Sequence, residues 1–318
     1  MNYKVSRRKF GQLALGGTVV SGLSYLTNKA LAEIPSLKVI GIVSGSIIST
    51  DQTAIPEVDT TELDSTTPNS VSTDMKPIGL VLQSLIIGKA QLPIPLTSGI
   101  FADKSTPLVE SHEILSGFTS LSNGTLVVAI TPVTTSRKQA TPTRITFLST
   151  PRKTLIVSGL KQNEQLGSLL STSDGRLIAL VGKKNGTPPI RLVDINLQTG
   201  EISFISKVKF PNDQRVSNLA ECPDGKLYTS LVESDGNTSL VQLGSNQKSP
   251  IRLTQLKVNE RVWNNGLQSL VCSATGQLLA FGAMRYETPN AVYSVDQNNG
   301  NMTRLQDFDA TQITLARG

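Results

Sequence analysis

His112, Cys222 and Cys272 are the sole histidine and the two cysteines of the chain. They are too few and too dispersed to build a nitrogen–sulfur metal cluster. A nucleophilic triad would have to draw on His112 alone. That residue stands in the polar run Glu110-Ser111-His112-Glu113, which reads as solvated surface. Asp174 and Asp224 each precede a glycine, and such carboxylates cap backbone amides in tight turns. No Gly-Lys-Ser/Thr phosphate cradle occurs. No catalytic residue and no metal ligand is therefore assigned. Trp263, Tyr228, Tyr286 and Tyr293 are the main aromatics that could form a sugar platform, and they make a thin set.

The elements that would position any site come from a repeat. Leu115–Gly124, Leu166–Gly175, Val216–Gly225 and Leu267–Gly276 share one pattern. It runs apolar residue, two small or polar residues, Leu or Phe, four variable residues, Asp/Asn/Thr, then Gly. The closing glycines recur every 50 or 51 residues, a spacing that marks a repeat architecture. Each period supplies four short strands separated by turn residues, as in the second repeat: Leu166–Leu170, Arg176–Val181, Ile190–Asn196 and Glu201–Ser206. Helical periodicity is absent outside the N-terminus.

A four-stranded meander repeated in this way resembles the β-propeller superfamily, without the signatures of WD40 or kelch repeats. The resemblance implies an all-β ring of antiparallel blades. Asp309–Gly318 reads as the start of another repeat, with Ile313 matching Leu169, Leu219 and Leu270. Its lone strand would pair with N-terminal strands around Leu37–Ile48 and Ile78–Gly88 and latch the ring. Five blades follow from this count; a sixth requires a degenerate blade within residues 65–114. Gln91–Ile100, with two prolines, suits an edge strand or loop. Aligned repeats place Cys222 and Cys272 one position out of phase, which predicts side chains on opposite faces and two unpaired thiols. Propellers can gather oxygen ligands around the central channel. Asn218, Glu221, Asn264 and Asn265 are the calcium candidates by position.

Residues 1–32 carry five basic side chains and no acidic one; without them the chain has 25 basic and 24 acidic residues. Such a near-neutral body excludes an electrostatic case for nucleic acid. Arg7-Arg8 followed by Phe10, a weakly apolar Gly-rich run, and Ala30-Leu31-Ala32 resemble a twin-arginine export signal with a cleavage site after Ala32. The run is too short for a permanent bilayer span. Residues 33–318 then form the propeller domain, and Thr50–Lys76, polar and aperiodic, reads as a flexible surface loop.

These features point to an exported, periplasmic, monomeric binding or scaffold propeller without a required cofactor. Its ligand is an unidentified protein or small molecule. The alternative is a calcium-dependent lactonase or hydrolase of the propeller type.

Overall fold

The computed structural model of the chain describes residues 37–46, 78–89, 92–96, 108–110, 113–133, 142–149, 151–183, 186–244 and 250–317. The export signal (Arg7, Arg8, Phe10, Ala30, Ala32), the 50–76 loop and His112 lie outside the described residues. Among the described residues, no helix is long and apolar enough to cross a membrane.

The protein is a five-bladed β-propeller of four-stranded antiparallel blades. Blade 1 comprises Glu113–Ser120, Leu126–Pro132, Arg144–Phe147 and Lys153–Ile156, from channel to rim. Blade 2 follows with Glu164–Ser171, Leu177–Lys183, Ile190–Ile195 and Ile202–Val208. Blade 3 runs Arg215–Glu221, Leu227–Val232, Thr238–Leu243 and Ile251–Gln255. In blade 4 the strands are Ser269–Cys272, Leu278–Gly282, Ala291–Val295 and Met302–Asp307. Blade 5 is composite: the inner strand is Gln312–Leu315 from the C-terminus, paired with Lys38–Ser46, then Ile78–Ile86, then the two-residue edge strand Ile94–Pro95. The latch expected from the C-terminal half-repeat is therefore present, with Ile313 opposite Gly41 and Leu315 opposite Val39.

Five apolar clusters hold the ring, one at each junction between blades. Leu166, Leu169 and Ala179 of blade 2 pack on Val127, Ala129 and Ile145 of blade 1. Leu219 and Val241 of blade 3 meet Leu170 and Ile178 of blade 2. Blades 3 and 4 share Tyr228, Leu240, Trp263 and Tyr293. Phe281 and Phe308 of blade 4 pack against Val39 and Ile313 of blade 5. Ile40 and Leu82 of blade 5 meet Phe118 and Val128 of blade 1. The second strands, such as Leu126–Pro132, Leu177–Lys183 and Leu278–Gly282, are buried on both sides because each blade has a neighbour on both faces, whereas the outer strands are largely exposed at the rim. Lys257–Val258 and Arg261–Val262 form a small hairpin between blades 3 and 4.

The cysteines correct an expectation: Cys222 and Cys272 form a disulfide, with Cα atoms 5.2 Å apart. Alternation along a strand sends successive side chains to opposite faces, and in a propeller those faces look at different neighbours. Leu219 packs back on blade 2, whereas Ala220 and Cys222 face forward to blade 4. Leu270 and Cys272 face back to blade 3 while Val271 faces forward. A forward-facing and a backward-facing residue can meet only if they are out of phase. The one-residue shift that separates side chains across one sheet joins them across two.

Candidate functional site

The two small or polar positions of the repeat lie near the start of each inner strand. There the pairing slips between Leu115 and Gly117, between Leu166 and Ser168, and between Ser217 and Ala220. A bulge inserts an extra residue and re-aims its side chain. Asn218 sits in the third bulge with φ +65°, a conformation asparagine tolerates better than most residues. The Thr229 hydroxyl donates to the carbonyls of Ser217 and Asn218 at 3.0 and 2.7 Å and holds the bulge in place.

These positions surround the axis. A narrow channel of about 50 Å³ is lined by all five inner strands, with Ser168, Glu221, Cys272 and Thr314 on its wall and Arg317 at its far end. It opens at the strand starts into a funnel of about 350 Å³, which again takes residues from every blade, Ile114, Gln165, Val216, Leu267 and Thr311 among them. Lys183 and Gly186, from the 183–189 connection of blade 2, complete the funnel wall. Gly186 has φ +72°, and a Cβ there would lie 2.4 Å from the Val216 carbonyl oxygen, so only glycine lets this connection press against blade 3. The paired ends Ser46 and Ile78 of blade 5 also lie at the funnel end of the ring.

Much of the channel's polarity is committed to joining blades. The Ser120 amide donates to Thr314 Oγ1 at 3.2 Å, and the Ser171 amide to Thr119 Oγ1 at 3.2 Å. The Ile313 amide donates to Ser269 Oγ at 2.9 Å. Gln165 Nε2 reaches Pro132 O of blade 1 at 3.1 Å. These bonds replace the ladder that inner strands of separate blades lack.

The four calcium candidates do not converge. Asn218 and Glu221 line the channel, but Glu221 Oε2 accepts from the Ser173 amide at 2.6 Å. Asn264 Oδ1 accepts from the Arg285 amide at 3.2 Å and Asn265 Nδ2 donates to Ala283 O at 3.0 Å, both in the connections around blade 4. Among the described residues no group of three or more His, Cys, Asp or Glu side chains could hold a metal ion. Asp174 and Asp224 do cap turns. Asp224 Oδ1 accepts from the Lys226 amide at 3.1 Å, and Asp174 pairs with Arg176 at 2.8 Å. Hydrogen bonds from Thr172 and Arg176 hold the Asp174 carboxyl below its ordinary pKa, and those from Lys226 do the same for Asp224.

Of the aromatics, Tyr228, Tyr293 and Trp263 are buried between blades 3 and 4, and Trp263 meets Tyr293 edge to face. Tyr286 is exposed beside Arg285. The residues not anticipated as site residues include Ser116, Gln165, Ser168, Gln268, Thr311 and Gln312. Gln268, Thr311 and Gln312 fall on the two small-or-polar positions of the repeat, so that column of the pattern carried the signal.

No protein-family model matches the chain, and no curated protein matches it in sequence. Among solved structures it is similar to a protein of unknown function from Dyadobacter fermentans, at 9% identity over 74% of each chain with a TM-score of 0.49. It is also similar to AofleA from Arthrobotrys oligospora, at 10% identity over 74% of this chain and 70% of that one, TM-score 0.44. TolB from Acinetobacter baumannii is 15% identical over 96% of this chain and 61% of its own, TM-score 0.41.

Proposed function

We propose that the protein is an exported, non-catalytic binding or scaffold propeller that engages its ligand at the funnel. The observation that carries this reading is the chemistry of the funnel wall. Its described lining residues are hydrocarbon, hydroxyl and carboxamide side chains with Lys183 as the one charged group. Acid–base or nucleophilic catalysis needs a titratable pair or an activated nucleophile, and neither is among them. The volume of about 350 Å³ falls in the range of small-molecule sites. Export is supported by the Cys222–Cys272 bridge, since disulfides persist in oxidising compartments. We take the mature chain to be monomeric, cofactor-free and indifferent to nucleic acid.

The test compares partner capture from the exported fraction by the wild type, by Ile114→Glu on the funnel wall and by Phe204→Glu on the outer strand of blade 2. Ile114 and Phe204 are both about half exposed, so neither change should unfold the chain. Wild type and Phe204→Glu should recover the same stoichiometric partner, and Ile114→Glu should lose it. Equal recovery by Ile114→Glu would overturn the assignment of the funnel. A clear fall in Tm on adding chelator would instead support the calcium-dependent hydrolase. Changing Arg7-Arg8 to Lys-Lys should retain the protein in the cytoplasm.

A further inference from the structure

Ser116, Asn218, Gln268 and Gln312 line both the funnel and the channel beneath it. They come from blades 1, 3, 4 and 5 and form a neck, with Ser168 of blade 2 just inside. The hydrogen bonds of this neck are one-sided. Asn218 Nδ2 donates to Leu267 O at 2.7 Å, and Gln312 Nε2 to Leu115 O at 3.1 Å. Gln268 Nε2 lies 3.4 Å from Asn290 Oδ1. Each amide nitrogen is turned to a neighbour, which leaves the amide oxygens as the unspent groups. Gln268 Oε1 is buried without a partner, and so is the Ser168 hydroxyl, on a residue only 5% exposed. Leaving such atoms unpaired weakens a fold, and an apolar residue of similar shape would remove the penalty. Both residues line one narrow channel with these atoms recessed in its wall, and an occupant whose head group reaches into that wall would pair with them.

Gln268 Oε1 can only accept, so the occupant must donate to it, whereas the Ser168 hydroxyl can donate or accept. An anion would find one unpaired donor, the Ser168 hydroxyl, and would otherwise face the lone pairs of the Asn218, Gln268 and Gln312 amide oxygens. A full cation would be desolvated against neutral oxygens alone, with Lys183 on the funnel wall. The nearest channel carboxylate, Glu221, is turned to the Ser173 amide. A neutral hydroxyl or carboxamide satisfies the oxygens without a charge penalty. The channel, about 50 Å³, admits such a head group and little more. Above it the wall is aliphatic, including Leu115, Leu166, Val216 and Leu267. We infer that the neck binds the uncharged, hydrogen-bond-donating head of a small molecule whose aliphatic body rests in the funnel. This rests on the funnel being the binding face.

The test titrates the full chain with four six-carbon probes: hexanamide, 1-hexanol, hexylammonium and hexanoate, read by ligand-detected NMR and calorimetry. Hexanamide and hexanol should bind at least about tenfold more tightly than the charged probes. Gln268→Leu should weaken hexanamide about tenfold and Ser168→Ala by a smaller factor, while Tm stays level or rises in both. Equal binding of all four heads, preference for a charged head, no binding of any, or unchanged affinity in both variants would each overturn the proposal. A lowered Tm in both variants would also overturn it, because the polar atoms would then be structural. The titration uses no partner protein. Failure of capture with intact probe binding sinks the scaffold reading alone, and the reverse result sinks the neck alone.

Discussion

At the scale of single residues, side chains that looked inert or reactive in sequence acquire their roles from the blade they face. The Cys222–Cys272 bridge closes a 50-residue separation between two inner strands. Chain-entropy arguments put its contribution at about 2–4 kcal/mol. Replacing both cysteines by serine, or reducing the wild type, should therefore lower Tm by roughly 5–15 °C, measured by calorimetry; an unchanged Tm under reductant would contradict the bridge. Tyr228 and Tyr293 give a second test. Burial pushes both phenols above the ordinary value of 10.0. In the unfolded chain they would ionise at the ordinary value, so above it the unfolded state binds fewer protons than the native one. Their contribution is complete below pH 10 and is lost as pH rises through the raised folded values. Denaturant melts followed from pH 9 upward should show stability falling beyond about pH 10, and Tyr228→Phe with Tyr293→Phe should flatten that fall. The disulfide was not legible because phase was judged across one sheet, where the shift separates side chains.

Between residues and ring, the repeated connections do the joining. Gly200 of blade 2 and Gly300 of blade 4 sit in equivalent loops, each donating its amide to the residue four before it. Their carbonyls accept from Ser158 and Lys257, at the rim of the preceding blade. Parallel bridges Ser158–Glu201 and Lys257–Asn301 extend the clasp. Added Cβ atoms would stand 2.3 Å from Ile156 O and 2.2 Å from Gln255 O. Gly175, in the Asp174-Gly175 turn, also has positive φ but meets nothing within 4 Å. Gly175→Ala should thus cost only the left-handed penalty, about 1 kcal/mol, whereas Gly200→Ala should cost clearly more by chemical denaturation. Similar losses would mean that the loop does not press on blade 1. Glu113 and Glu164, at the same place in the first two repeats, reach Arg144 and Arg191 in nearly buried ion pairs. The strands and turns were legible because alternation and glycine report local geometry. The clasps were not, because their partners lie in another repeat.

For the whole molecule the decisive feature is closure. Gln312–Leu315 pairs with Lys38–Ser46, so the two ends of the chain complete one blade and two of the five apolar junctions. Deleting residues 312–318 should expose the edge of Lys38–Ser46 and the channel-facing side of blade 1. We expect a broad, less cooperative melt, a larger radius by X-ray scattering and rapid proteolysis; a truncated chain that melts like the wild type would refute closure at this blade. The half-repeat at the C-terminus and its match through Ile313 already pointed to this latch and to five blades. The funnel and neck were present in the sequence as a column of small and polar residues, yet nothing local distinguished that column from a turn.

By itself the sequence determined the strands, the turns, the period and the latch, because each depends on contacts within about 50 residues or on the kinship of repeats. Only the tertiary structure decided which face of a strand meets which neighbour. That choice joined Cys222 to Cys272, separated Asn264 and Asn265 from Asn218 and Glu221, and brought Ser168 and Gln268 onto one cavity. The physical reason is that a propeller's site lies on an axis belonging to no single blade, so its geometry comes into being only when the ring closes.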